Sequence, residues 1–127
     1  MEVVYLDTHV VVWLFSKELE KISKKAIDLI EENQLLISPM IVLELEFLYE
    51  IGRLTYNHHE IITSLSDTID LKICDLSFAL VAKESTKLHW TRDPFDRLIV
   101  ANASCADRSI LLSRDRKIHD NYDRAVW

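Results

Sequence analysis

The chain has 127 residues, 49% of them hydrophobic and 28% charged, with a formal net charge of −6. That suits one domain over residues 1–127 with a substantial core, and it excludes disordered, fibrous and membrane-spanning classes. One Gly and two Pro leave no linker or repeat, and they exclude a GxGxxG dinucleotide fingerprint and a P-loop. The acidic balance argues against a nucleic-acid binder, unless the acids gather around divalent cations whose charge reverses the local field. The start, Met1-Glu2-Val3-Val4-Tyr5-Leu6-Asp7, lacks the basic and long apolar regions of a signal peptide, so the expected location is cytoplasmic. Cys74 and Cys105 form no CxxC or Cys/His zinc pattern; their spacing leaves a disulfide open, and two buried free thiols in a reducing compartment are the expectation.

In chain order, Met1–Leu6 reads as a buried strand ending at Asp7. Thr8–Phe15 is apolar and fits helix or strand by pattern alone. Leu19–Glu32 has helical spacing, with Leu19, Ile22, Ala26, Leu29 and Ile30 on one face. Leu35–Ile37 is a second strand. Ser38 then Pro39 is an N-cap followed by Pro at the first helical position, and that helix runs to about Ile51 with Gly52 as its stop. His59–Thr68 is a helix. Ile69–Cys74 contains a third strand, and Asp75 or Ser77 opens a helix to about Ser85. Asp93-Pro94 starts a helix over Phe95–Ala106. Ser109–Leu112 is a fourth strand, Asp115–Asn121 a short helix, and Ala125–Trp127 a last edge strand.

Strands alternating with helices predict an α/β fold with a mainly parallel sheet. Ligand sites in such folds lie beyond the carboxyl ends of the strands, where strand order reverses. That points to Asp7, Ser38 and the stretch Ser113 to Asp115.

Each acid has a bland reading beside the functional one. Asp7 is a possible helix cap, but it lies between apolar runs, where a carboxylate needs hydrogen bonds, a cation or a proton. Glu44 has Met40, Ile41, Phe47 and Leu48 three and four positions away, so it needs compensation or must snorkel from the margin of its face. Glu46, near Tyr49 and Glu50, reads as a rim residue. Asp93 and Asp96 fit a cap and a first-turn acid, and a ligand role for Asp96 requires the other acids nearby. Asp115 after Ser113 is a turn and cap, or a second acid beside Asp7 with Ser113 orienting it. If Asp7, Glu44, Asp96 and Asp115 meet at one sheet edge, they suit hard cations such as Mg²⁺ or Mn²⁺, which activate water and clamp phosphates.

Leu6-Asp7-Thr8-His9, Ser38-Pro39 with Glu44, Arg92-Asp93-Pro94-Phe95-Asp96-Arg97-Leu98-Ile99-Val100-Ala101 and Leu111-Leu112-Ser113-Arg114-Asp115 resemble the PIN-domain family, in order and over nearly the whole chain. The Asp-Pro-Phe-Asp-Arg-Leu segment is similar to the VapC-like toxins of bacterial toxin–antitoxin pairs. The resemblance implies a three-layer α/β/α sandwich and Mg²⁺- or Mn²⁺-dependent cleavage of RNA phosphodiesters. It assigns metal coordination to Asp7, Glu44, Asp96 and Asp115, with Ser113 where the family often has Thr. It leaves Asp93 as a cap first and a ligand second. It also implies a homodimer, and a cognate antitoxin that occludes the site with basic side chains.

Arg92, Arg97, Arg114 and Arg116 can meet RNA phosphates or pair with surface carboxylates. Trp13, Trp90 and Trp127 read as core rather than as base-stacking platforms. His58-His59-Glu60 reads as a helix start, because adjacent helical residues diverge and no HExxH pattern exists. Two rival functions fit an α/β chain with acids at strand ends. A receiver-like phosphoacceptor would need a lysine after a late strand, for which Lys117 is the candidate. A non-catalytic acidic module would receive a basic peptide.

Overall fold

The computed structural model describes residues 2–127. Met1, which the sequence pattern includes in the first strand, lies outside the described residues. The chain alternates β1 (Val3–Leu6), α1 (Thr8–Phe15), α2 (Lys24–Glu32), β2 (Gln34–Ile37), α3 (Pro39–Glu50), α4 (His58–Ile69), β3 (Lys72–Ile73), α5 (Phe78–Ser85), α6 (Pro94–Cys105), β4 (Ile110–Leu112), α7 (Arg116–Asn121) and β5 (Ala125–Val126). The strands form one sheet in the order β3-β2-β1-β4-β5, and every pairing is parallel.

β1 is therefore central. The chain builds outward from it through β2 and β3, then returns to its other side for β4 and β5. With right-handed crossovers, that change of direction puts helices on both faces and produces a three-layer α/β/α sandwich. Buried on both sides, β1 and β4 carry runs of large apolar residues. Val4, Leu6, Leu111 and Leu112 are fully buried, as are Ile41 and Leu45 of α3. α6 buries Ile99, Val100, Ala101, Asn102 and Ala103. The edge strands β3 and β5 are two residues each, which leaves little open backbone for stray pairing.

The caps explain most boundaries. Ser38 Oγ accepts from the Met40 N–H at 3.1 Å and Pro39 needs no donor partner at the first helical position, so α3 starts there. It ends in a Schellman motif: the Gly52 N–H donates to Tyr49 O and the Arg53 N–H to Leu48 O. Gly52 has φ +79°, the left-handed conformation that glycine takes at least cost.

The structure corrects some boundaries. The helix expected over Leu19–Glu32 is broken: Leu19–Lys21 is one 3₁₀ turn, Ile22 is extended, and Ser23 caps a new helix by accepting from the Ala26 N–H. Thr8–Phe15 is a helix. α5 opens after Ser77, one of the two starts considered, and the third strand falls within 69–74 as Lys72–Ile73, with Ile69 closing α4. Both cysteines are free, but Cys105 is only partly buried. Among the described residues no helix is long and apolar enough to cross a membrane.

Candidate active site

The parallel pairing of β1 with β4 sets Leu6 opposite Leu112. Asp7 and Ser113 are the next residues on each strand, so they leave the sheet together where strand order reverses. The Asp7 N–H extends the ladder by donating to Leu112 O at 2.9 Å.

The Asp7 carboxylate is 8% exposed and is held from two directions. The Thr8 N–H donates to Oδ1 at 2.8 Å, and the Ser113 hydroxyl donates to Oδ2 at 2.6 Å. Ser113, fully buried, in turn accepts from the Asp115 N–H at 3.0 Å. Asp7 thus fills both roles considered for it, a cap on α1 and a buried acid at the switch point. Burial pushes its carboxyl above the usual range, with the Asp115 charge adding to the rise, while the Ser113 and Thr8 bonds oppose it.

Glu44 reaches this point from α3. Its Oε1 accepts from the Thr8 hydroxyl, which ties α3 to the first turn of α1. It sits at the margin between Ile41, fully buried, and Phe47, 44% exposed. Burial raises its carboxyl, and the charges of Asp7 and Asp93 add to the rise. Glu46 lies outside the cluster and pairs with His58 at 2.9 Å.

Asp93 and Asp96 arrive on α6. Asp93 caps the helix, accepting from the Phe95 N–H at 2.8 Å. Its own N–H donates to Thr91 Oγ1, and Arg97 Nε donates to Thr91 O at 2.7 Å. Asp96, in the first turn, is pushed up to about 7 by burial and then by the charges of Asp93, Asp7, Asp115 and Glu44. One carboxyl that feels four others identifies a single electrostatic unit built from β1, α3, α6 and the β4–α7 turn. Asp115 contributes its charge while Oδ1 caps α7, accepting from the Lys117 N–H at 2.8 Å and the Ile118 N–H at 3.3 Å.

Among the described residues no ion pair involves any of these acids. Nor do any three His, Cys, Asp or Glu side chains form a ready-made cage for a metal ion. Asp115, Glu44 and Asp93 each engage one carboxylate oxygen in a cap or with Thr8, which leaves the second oxygen of each without a protein donor among the described residues. The donor set nevertheless fits a hard divalent cation: it is oxygen only and unneutralised, and burial, with repulsion adding to it, raises the carboxyls of Asp7, Glu44 and Asp96.

The carboxylate-pairing expectation for Arg92, Arg97, Arg114 and Arg116 is not met among the described residues. Trp13, Trp90 and Trp127 are partly buried and pack against the core. Thr8 is the contributor that sequence reasoning missed. Its place directly after Asp7 hints at a role, but its partner Glu44 lies 36 positions away.

Among protein families, the PIN domain matches residues 4–124. Solved structures with the same fold include VapBC2 from Rickettsia felis bound to a promoter DNA fragment, at 18% identity and TM-score 0.68, covering 98% of this chain and 96% of that one. Another is DNA-bound VapBC from Salmonella typhimurium, at 16% identity and TM-score 0.68, covering 99% and 98%. A toxin–antitoxin complex from Klebsiella pneumoniae matches at 20% identity and TM-score 0.63, covering 98% and 96%. No curated protein matches the chain.

Proposed function

Since the chain belongs to the PIN-domain family, we propose that it is a metal-dependent endoribonuclease acting on RNA phosphodiester bonds. Asp7, Glu44, Asp96 and Asp115 hold Mg²⁺ or Mn²⁺, and Ser113 orients Asp7. The observation that carries this reading is the gathering of unneutralised carboxylates around Asp96, which is pushed up to about 7 by burial first and then by those charges. A partly buried cluster of like charges has a natural counter-charge in a divalent cation, and these acids follow the strands at the switch point of the sheet. A cation held there supplies Lewis-acid polarisation of the phosphate and a more acidic water.

The chain's own residues do the rest. Ser113 and the Thr8 N–H fix both oxygens of Asp7, so the carboxylate is preorganised rather than free to rotate. The Thr8 hydroxyl sets Glu44. The Asp115 N–H fixes the Ser113 hydroxyl, which leaves its proton for Asp7. Asp96 carries a proton near neutrality in the cation-free protein, and cation binding releases it.

The likeness in fold to VapBC complexes supports reading the chain as the toxin of a toxin–antitoxin pair in the cytoplasm. Its partner would be an antitoxin that inserts basic side chains among the acids. A homodimer fits the exposed apolar residues Leu43 and Phe47 on α3. Family membership favours this reading over the receiver-like one, whose lysine, Lys117, stands on α7 with its backbone bonded to Asp115, and over a non-catalytic acidic module. The test is a cleavage assay on single-stranded RNA with Mg²⁺, Mn²⁺ and EDTA. Cleavage in the metal arms that EDTA abolishes supports the proposal. Cleavage unaffected by EDTA, or none with either metal, overturns it.

A further inference from the structure

Ser113 is fully buried, so each of its polar atoms needs a partner. Its hydroxyl serves Asp7 and the Asp115 N–H, and its own N–H donates to Val126 O at 3.3 Å. Its carbonyl lies past the sheet. The register with β5 ends at Leu112 and Val126, and on the β1 side the closing bond runs from the Asp7 N–H to Leu112 O. A side chain replaces the missing strand donor. His119, beside the buried Ile118 on α7, brings Nε2 to 2.6 Å from Ser113 O. A carbonyl only accepts, so Nε2 is the ring nitrogen that carries a proton.

The Ser113 carbonyl belongs to the peptide unit that leads into Arg114 and Asp115. Rotation of that unit would swing the turn and draw the Asp115 carboxylate away from Asp7. The His119 N–H ties α7 to the same turn at Asp115 O, 3.2 Å away. The imidazole is partly buried, and among the described residues it pairs with no carboxylate. Its influence on the acids therefore runs through the main chain. α7 holds the opposite end of β4 by a matching bond, from the Tyr122 hydroxyl to Ser109 O at 2.6 Å. That second clamp precedes the strand, whereas the acids follow it.

We propose that His119 is a positioning residue of the carboxylate site: its Nε2–H locks the Ser113–Arg114 peptide and so keeps Asp115 and the Ser113 hydroxyl in register with Asp7. It acts through Ser113 and touches neither cation nor substrate. The proposal rests on the metal-dependent nuclease reading, and cation uptake is measured apart from cleavage so that the two can fail separately.

Mn²⁺ calorimetry and steady-state RNA cleavage are run on the wild type, His119→Ala, His119→Gln and Tyr122→Phe. His119→Ala is expected to raise the Mn²⁺ Kd and to lower kcat, each about tenfold, the size of losing an outer partner of a metal site, with KM nearly unchanged. His119→Gln, whose amide nitrogen reaches about as far as Nε2, should restore most of both. Tyr122→Phe removes the matching bond and should lower the denaturation midpoint while Kd and kcat stay unchanged. Should His119→Ala fail to fold, His119→Leu fills the position without a donor, and the ¹⁵N resonances of the wild-type imidazole report the proton at Nε2 directly. A bare wild-type Nε2, unchanged Kd and kcat in His119→Ala, no rescue by His119→Gln, or an equal loss in Tyr122→Phe overturns the positioning role; metal-dependent cleavage by the wild type then leaves the nuclease reading standing. A Kd raised in His119→Ala and restored in His119→Gln, with no cleavage by any of the proteins, keeps the positioning role and overturns the nuclease reading. No Mn²⁺ uptake by the wild type overturns both.

Discussion

Asp96→Asn should make the cation-free protein more stable at neutral pH while removing its function. Asp96 moves from an ordinary 3.8 in the unfolded chain to about 7 in the fold. The folded protein therefore binds more protons than the unfolded one between those values, and stability falls as pH rises through that window. The full shift corresponds to about 4 kcal/mol. The site is open to water on one side, and screening reduces this to about 1–2 kcal/mol. An opposing effect is the favourable placement of Asp96 in the first turn of α6, worth about 0.3–1 kcal/mol. Burial and repulsion together still win, by roughly 1 kcal/mol, or about 3–5 °C in Tm for a domain this size. The assay is thermal or urea denaturation with EDTA from pH 4 to pH 7.5. The variant and the wild type should be similar near pH 4 and diverge toward neutrality, the variant being the more stable. Saturating Mg²⁺ should reverse the order, because binding at 100 times Kd adds about 2.7 kcal/mol to the wild type. A variant equal to or less stable than the wild type at pH 7 in EDTA would refute this reasoning about a buried acid among like charges.

Other perturbations separate orientation from folding. Ser113→Ala removes the hydroxyl that holds the buried Asp7; it should cost about 1–3 kcal/mol in urea denaturation and lower kcat, whereas Ser113→Thr should keep most of both. Thr8→Val frees Glu44 from its only side-chain donor among the described residues, so kcat should drop while the denaturation midpoint moves little. Leu45→Ala empties a fully buried position on α3 and should cost about 2–5 kcal/mol, with cleavage by the remaining folded protein unchanged at low temperature.

Much of the fold was readable because local signals and global structure agree. Ser38-Pro39 and Gly52 bracket α3 with an N-cap and a Schellman stop that need no tertiary information. The apolar run of β1 marked a buried strand, and Ser109–Leu112 marked β4. The failure at Leu19–Glu32 has a local cause. Helical spacing continues across Ile22, but Ser23 prefers to cap a new helix, and Leu19 ends 50% exposed. What was not readable depends on long-range pairing. Strand order rests on β1 meeting β4 in a register offset by 106 positions, which alone brings Ser113 to Asp7. Acids after strands were legible as candidates, but the Thr8–Glu44 bond exists only once α1 and α3 are assembled.

Calorimetric titration of Mn²⁺ into wild type and Asp7→Asn at pH 7 tests the central account most directly. The wild type should bind Mn²⁺ saturably and release protons as it does so, and Asp7→Asn, still folded by circular dichroism, should lose that binding. Equal Mn²⁺ uptake by the two proteins, or none by the wild type, would contradict a cation site built on the β1–β4 switch point.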